Sequence, residues 1–246
     1  MHFLLELQAD LLAFISSTLI VAAYYFFLRI KTRNNPTYTI HGVNALARTL
    51  WVENVMHNPG KDVMAVQTMR NFVMGASLMA STASLLIVGT LTLSGQAENI
   101  AQSWHVLSIS GSHATALWIF KVMLMLVDFI VAFFAFAMSV RLANHVVFML
   151  NIPEHDANPN LSPKAVARRL HRAGNMFAIG MRAFYFAIPL VFWLFGPYFL
   201  LLSSVGLVIA LYNLDRSETE DAIETTPLSS LPNNGSIISM QAKQTK

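Results

Sequence analysis

The chain has 246 residues, of which 55% are hydrophobic and only 12% charged. A soluble domain carries roughly 25% charged residues, so a water-exposed globule is excluded. The formal charge of +3 is small and there is no cysteine, which removes disulfides, thiolate metal sites and a thiol nucleophile.

The first apolar run covers residues 11–30, close to the length that crosses the hydrocarbon core. Acidic residues precede it (Glu6, Asp10) and basic ones follow it (Arg29, Lys31, Arg33). A secretory signal has its basic residues in front, so this run reads as a retained anchor. Residues 38–56 place Ile40, Val43, Leu46 or Ala47, and Leu50 at helical spacing with Trp51 beside them. This predicts an amphipathic helix in the membrane interface, where tryptophan is favoured. His57-Asn58-Pro59-Gly60 ends it, and Asp62 is placed to cap the next helix.

The second span is predicted at residues 72–93, without a charge, and the third at 115–142, with Lys121 and Asp128 inside it. The stretch 183–214 is too long for one crossing and contains the turn dipeptide Gly196-Pro197. Ser162-Pro163 reads as an N-cap followed by proline at the first helical position. A fourth span therefore runs from 163 to about 195, and a fifth returns over 198–214. The alternative is four spans, with Pro189 and Pro197 as kinks in one last helix. The expected fold is an all-α polytopic membrane bundle of about five spans with the interfacial helix on its cytoplasmic side. Residues 1–214 form the membrane domain. Residues 215–246 form a disordered polar tail, because their Ser, Thr, Asn, Pro and acids leave little to bury.

Short basic loops mark the cytoplasmic side. Arg29, Lys31, Arg33, Arg48, Lys61 and Arg70 fall in one such segment, and Arg141, Lys164, Arg168, Arg169 and Arg172 in another. Residues 94–114 contain no Lys or Arg. The N-terminus is expected outside, and with five spans the C-terminus is cytoplasmic; with four it is outside. A bacterial inner membrane is the expected location.

The run Thr39-Ile40-His41-Gly42-Val43-Asn44, then Arg48, Trp51-Val52 and residues 65–76 (AVQTMRNFVMGA) resembles the membrane proteins catalogued as domain of unknown function 599. So do residues 182–190 (RAFYFAIPL), residues 193–197 (WLFGP) and residues 211–215 (LYNLD). The resemblance covers nearly the whole chain except the tail. It implies a polytopic membrane protein and brings no activity, cofactor or catalytic residue.

The candidate site residues rest on charge and spacing. Lys121 and Asp128 are seven residues apart and share one helix face. Charges within a span face a partner or a water-filled space. The favoured reading has Lys121 snorkelling outward and Asp128 paired to Arg182; the other makes Asp128 a proton or ion relay. At the cytoplasmic rim, Asn44, Arg48, Arg70, Asn71, Arg141, Asn144 and His145, with Arg172, Asn175 and Arg182, suit an anion such as a lipid phosphate or a carboxylate. The plainer reading is positive-inside charge with hydrogen bonds between helix ends. Ala76, Ala80 and Ser84, with Gly75 adjacent, form a small-residue stripe for close helix packing, inside the protomer or against a second copy.

None of the eight histidines is mid-span, which argues against a membrane haem. His105 and His113 lack a metal-ligand spacing, so no metal and no cofactor is expected. There is no phosphate-binding glycine loop, no nucleophilic triad and no nucleic-acid surface. Three functions remain, in order of preference. The first is a non-enzymatic subunit or scaffold of a membrane assembly, as a homo-oligomer or within a larger complex. The second is a small ion or solute transporter or channel using Asp128, Lys121 and the rim arginines. The third is an enzyme acting on a lipid or anionic substrate, whose cleft would converge on Arg70, Arg141, His145 and Arg182.

Overall fold

A computed structural model describes residues 2–35, 38–58, 60–95, 115–152 and 158–216. Among the described residues there are six α-helices: α1 His2–Asn34, α2 Ile40–His57, α3 Asp62–Gly95, α4 Thr115–Leu150, α5 Pro163–Trp193 and α6 Pro197–Asp215. A 3-10 turn, Pro159–Leu161, leads into α5. No strand occurs among the described residues. All helices except α2 are long and apolar enough to cross a membrane, which gives five spans.

Local chemistry sets the helix boundaries. Thr39 caps α2, its hydroxyl accepting from the Gly42 amide at 3.3 Å. Ser162 caps α5, accepting from the Ala165 amide at 3.4 Å, with Pro163 at the first helical position. Gly196 has φ +142°, a conformation that side-chain-bearing residues rarely adopt. It turns the chain so that Pro197 starts α6. The four-span alternative therefore gives way to two separate helices, with Pro189 buried inside α5. Helix α4 continues to Leu150, eight residues past the predicted end, and α6 runs one residue further, to Asp215.

The helices pack in the order α3, α4, α5, α6, α1, with α2 laid on α5 and touching α4 and α6. Helix α4 is the most buried span and α3 the least. Leu78, Leu85, Phe134 and Leu202 point outward, as lipid-facing residues do in a bundle whose surroundings are as apolar as its core. One end of the bundle carries α2, the end of α1, the starts of α3 and α5 and the end of α6; we call it the basic end. Here Val52, Val55 and Met56 of α2 join Ala65 and Met69 of α3, Val146 and Met149 of α4, and Val166 and Leu170 of α5 in one apolar cluster. The predicted apolar stripe of α2 points away from this cluster. Ile40, Leu46 and Leu50 are exposed. An isolated antiparallel bridge between Thr39 and Arg216 ties the start of α2 to the end of α6.

Helix packing is closest between α4 and α5. A methyl group at Gly180 would stand 2.7 Å from the Phe136 ring, which is itself fully buried. On α3 the buried residues are Ala65, Met69, Ala76, Ala83 and Thr90, recurring every seventh position from Met69 onward. The predicted small-residue stripe is thus only partly internal. Ala76 is buried and Ala80 half-buried, Ser84 is exposed, and Gly75 has open space around its Cα. A seven-residue repeat follows the neighbouring helix around its twist, whereas a four-residue repeat drifts off the contact.

Residues 94–114, apart from Ser94 and Gly95, lie outside the described residues, and with them His105 and His113. The proposed tail beyond Arg216 does so too.

Candidate anion-binding site at the basic end

The inner side of α2 carries His41 and Arg48, seven residues apart and so on one face. Both meet α5 along His171, Gly174 and Asn175, which share a face at i, i+3 and i+4. Gly174 makes room for the guanidinium: a methyl group there would stand 2.5 Å from Nη1 of Arg48. The His41 and His171 rings are 5.7 Å apart between centroids. The Asn175 side-chain amide lies 3.3 Å from Nε2 of His171 and also hydrogen-bonds His41.

Several of these polar atoms are buried and lack a hydrogen-bond partner among the described residues. They are Nε and Nη2 of Arg48, Nδ1 of His171 and Oδ1 of Asn175. Buried polar groups are nearly always satisfied, so a cluster of exceptions marks a place for a ligand or water. Burial pushes the Arg48 guanidinium down from its ordinary value. Burial likewise lowers His41, helped by the positive charges of Arg48 and Arg182.

Two cavities flank this cluster. The larger, about 710 Å³, lies between the end of α1, the start of α2 and α5. Its lining includes Tyr25, Arg29, Thr32, Arg33, His41 and Arg182 and no carboxylate. Arg182 is held in place from the other side. Its Nη2 donates to Oδ1 of Asp215 at 3.4 Å, and its guanidinium lies 5.4 Å from the centre of the Tyr25 ring. The Tyr24 hydroxyl donates to Oδ2 of the same Asp215 at 2.8 Å. The smaller cavity, about 450 Å³, lies between α2, α3 and α5 and contains Asn44 and Arg48 in an otherwise largely apolar wall.

A family model described as protein of unknown function, DUF599, matches residues 12–220. The chain belongs to this family. No curated protein and no solved structure matches it.

The DUF599 chain brings together only part of the predicted rim. Asn44 and Arg48 line the smaller cavity and Arg182 lines the larger. Arg70, Asn71, Arg141, Asn144 and His145 are exposed and line neither. The cleft predicted to converge on Arg70, Arg141, His145 and Arg182 is therefore not formed by these two cavities. The physical reason is helix phase. Met69 and Ala76 set the inner face of α3, and Ala143 and Val146 that of α4, which turns the adjacent polar residues outward.

The intramembrane charges are also re-paired. Arg182 bonds Asp215, so the predicted Asp128–Arg182 bridge does not form. Oδ2 of Asp128 is buried without a partner among the described residues. Lys121 does not snorkel outward. It is 5% exposed, and its Nζ donates to Oδ1 of the fully buried Asp10 at 2.8 Å. Nε1 of Trp193 donates to the same oxygen at 2.8 Å. Lys121 also donates to the Trp193 carbonyl at 3.2 Å, which accepts from the Gly196 amide as well, at the end of α5. Phe14 stacks on the Trp193 ring at 5.0 Å.

Sequence reading missed Asp10, Trp193, Gly174 and His171, and did not assign Arg29 or Arg33 to a site. A signal for Asp10 existed. It and Lys121 each sit one or two turns inside the same end of their helices, with opposite charges. Nothing in the sequence marked Gly174, because a close approach depends on the facing helix. Among the described residues no three of His, Cys, Asp and Glu come close enough to hold a metal ion.

Proposed function

We infer that this DUF599 protein is a non-catalytic membrane component that holds a phosphate-bearing anion at its basic end, and that this end faces the cytoplasm. One observation carries the reading. The 710 Å³ cavity gathers Arg29, Arg33, Arg182 and His41; Asp215 pairs Arg182 from outside the lining, and no carboxylate lines the cavity itself. Guanidinium groups match phosphate oxygens in fork geometry and remain charged in any setting. Basic clusters beside a span on the cytoplasmic side attract anionic headgroups, and the positive-inside rule supports that orientation. His41, held by Asn175, lines the cavity with no serine, cysteine or carboxylate beside it in the lining, so binding suits these residues better than catalysis.

The ligand is either the headgroup of an anionic lipid or a free phosphate compound, and a stability assay separates them. The full chain is placed in nanodiscs of phosphatidylcholine, with or without phosphatidylglycerol, and its thermal unfolding is followed with and without inorganic phosphate. Stabilisation by phosphatidylglycerol alone assigns a lipid headgroup; stabilisation by inorganic phosphate in the neutral nanodisc assigns a free phosphate. In either case the gain shrinks with added salt and disappears in Arg29→Gln/Arg33→Gln. A chain indifferent to both additions refutes the reading.

A further inference from the structure

The smaller cavity carries a different chemistry. We propose that it is a separate site for a single-chain amphiphile ending in a carboxylate, with a fatty acid as the simplest member of the class.

The cavity of about 450 Å³ falls in the size range of small-molecule sites, roughly 300–1,000 Å³. Its walls are apolar, built from Trp51, Met69, Phe72 and Leu170, and Arg48 is the one charged residue that lines it. The two unpartnered nitrogens of Arg48, Nε and Nη2, form the side-on edge of the guanidinium. Their N–H bonds run parallel, which matches the two oxygens of one carboxylate. The guanidinium packs against Gly174, where a methyl group would stand 2.5 Å from Nη1, 2.7 Å from Cζ and 3.2 Å from Nη2, so contact with α5 fixes its plane, and the Nε–Nη2 edge is buried without a partner among the described residues. One guanidinium balances one negative charge. The arginine cavity, with three, suits a phosphate better. An open, largely apolar cleft next to a single fork selects a monoanion with a hydrocarbon body. The two cavities share no lining residue, so this assignment does not rest on the phosphate reading.

The test uses the full chain in phosphatidylcholine nanodiscs and two photoactivatable probes of equal chain length, dodecanoic acid and dodecanol. Crosslinked peptides are mapped by mass spectrometry. The acid labels the Trp51 and Phe72 segments about tenfold more than the alcohol, the margin expected of a hydrogen-bonded charged group. Arg48→Gln brings acid labelling down to the alcohol level. Ala47→Trp fills the cavity from its exposed rim, leaves Arg48 in place and abolishes labelling, so the proposal remains decidable if Arg48→Gln does not fold. Arg29→Gln/Arg33→Gln leaves acid labelling unchanged. Equal labelling by acid and alcohol overturns the proposal. So does labelling that survives Ala47→Trp, or that is lost in Arg29→Gln/Arg33→Gln, which would put the carboxylate in the other cavity. Failure of the phosphate reading leaves these outcomes intact, because they are read at Trp51 and Phe72.

Discussion

At the scale of single residues, Asp10 and Lys121 have the largest energetic consequence. Both are buried, and each is the other's charge partner at 2.8 Å. Removing one partner leaves the other charge uncompensated, at a cost of about 3–5 kcal/mol. Lys121→Met is therefore expected to destabilise the protein strongly, and Asp10→Asn/Lys121→Met to recover much of the loss. Chemical unfolding in mild detergent measures both; a double variant no better than the single one would contradict the pairing. Asp128 behaves in the opposite way. Its buried oxygen lacks a partner, so Asp128→Asn is expected to hold or raise stability. If the residue serves only packing, reconstituted vesicles carrying Asp128→Asn show unchanged proton and ion flux.

Two glycines on α5 separate site from fold. At Gly174 an added methyl meets the mobile end of Arg48, whereas at Gly180 it meets a Phe136 ring enclosed by Phe177 and Phe184. Gly180→Ala should cost about 1–3 kcal/mol of stability by overpacking. Gly174→Ala should cost little stability but displace the guanidinium and abolish acid-selective labelling. Thermal unfolding and the photolabelling assay distinguish the two.

At the scale of elements, α2 is the helix whose docking responds to pH. It meets α5 through His41, which faces Arg48 of its own helix, His171, Asn175 and Arg182 of α5, and the cavity lined by Arg29 and Arg33 of α1. Burial and the arginines hold His41 neutral in the fold, below its ordinary value of 6.5. As pH falls through 6.5, an undocked α2 takes up the proton before the docked one does, so docking weakens. Acidification from pH 7 to 5 is expected to speed amide hydrogen exchange in α2, with a smaller change in His41→Asn. An equal change in both would remove His41 as the cause.

The helices themselves were legible in the sequence. Run length found α1, α3 and α4. Ser162-Pro163 and Gly196-Pro197 resolved the last run into α5 and α6, because caps and turns are local chemistry. Side-chain pairing across helices was not legible. The sequence offered Arg182 only Asp128, and it is the order α3, α4, α5, α6, α1 that gives it to Asp215. The rim was half legible for the same reason. Arg48 faces α5 while Arg70 and Arg141 face outward, a difference of helix rotation that residue type alone does not encode.

At the scale of the whole molecule, five spans place the two ends of the bundle's chain on opposite sides of the membrane. The proposed orientation is checked by single cysteines, since the chain has none of its own. A cysteine at Lys61 is expected to react with a membrane-impermeant reagent only after the cells are opened, and one at Gln8 in intact cells. The reverse pattern would place the basic end outside and remove the cytoplasmic part of the proposed function.

The packing order also has a consequence for assembly. The main neighbour of α1 is α6, so the first span to leave the ribosome waits for the last. Ser17 finds its buried hydrogen-bond partner at Ser204, 2.6 Å away and 187 positions later. Tyr24 finds Asp215 on the same late helix. Asp10 can meet Lys121 once α4 is made, but α1 lacks its main neighbour until α6 follows. A chain stopped before Pro197 would keep four of its crossings and leave α1 without its main neighbour.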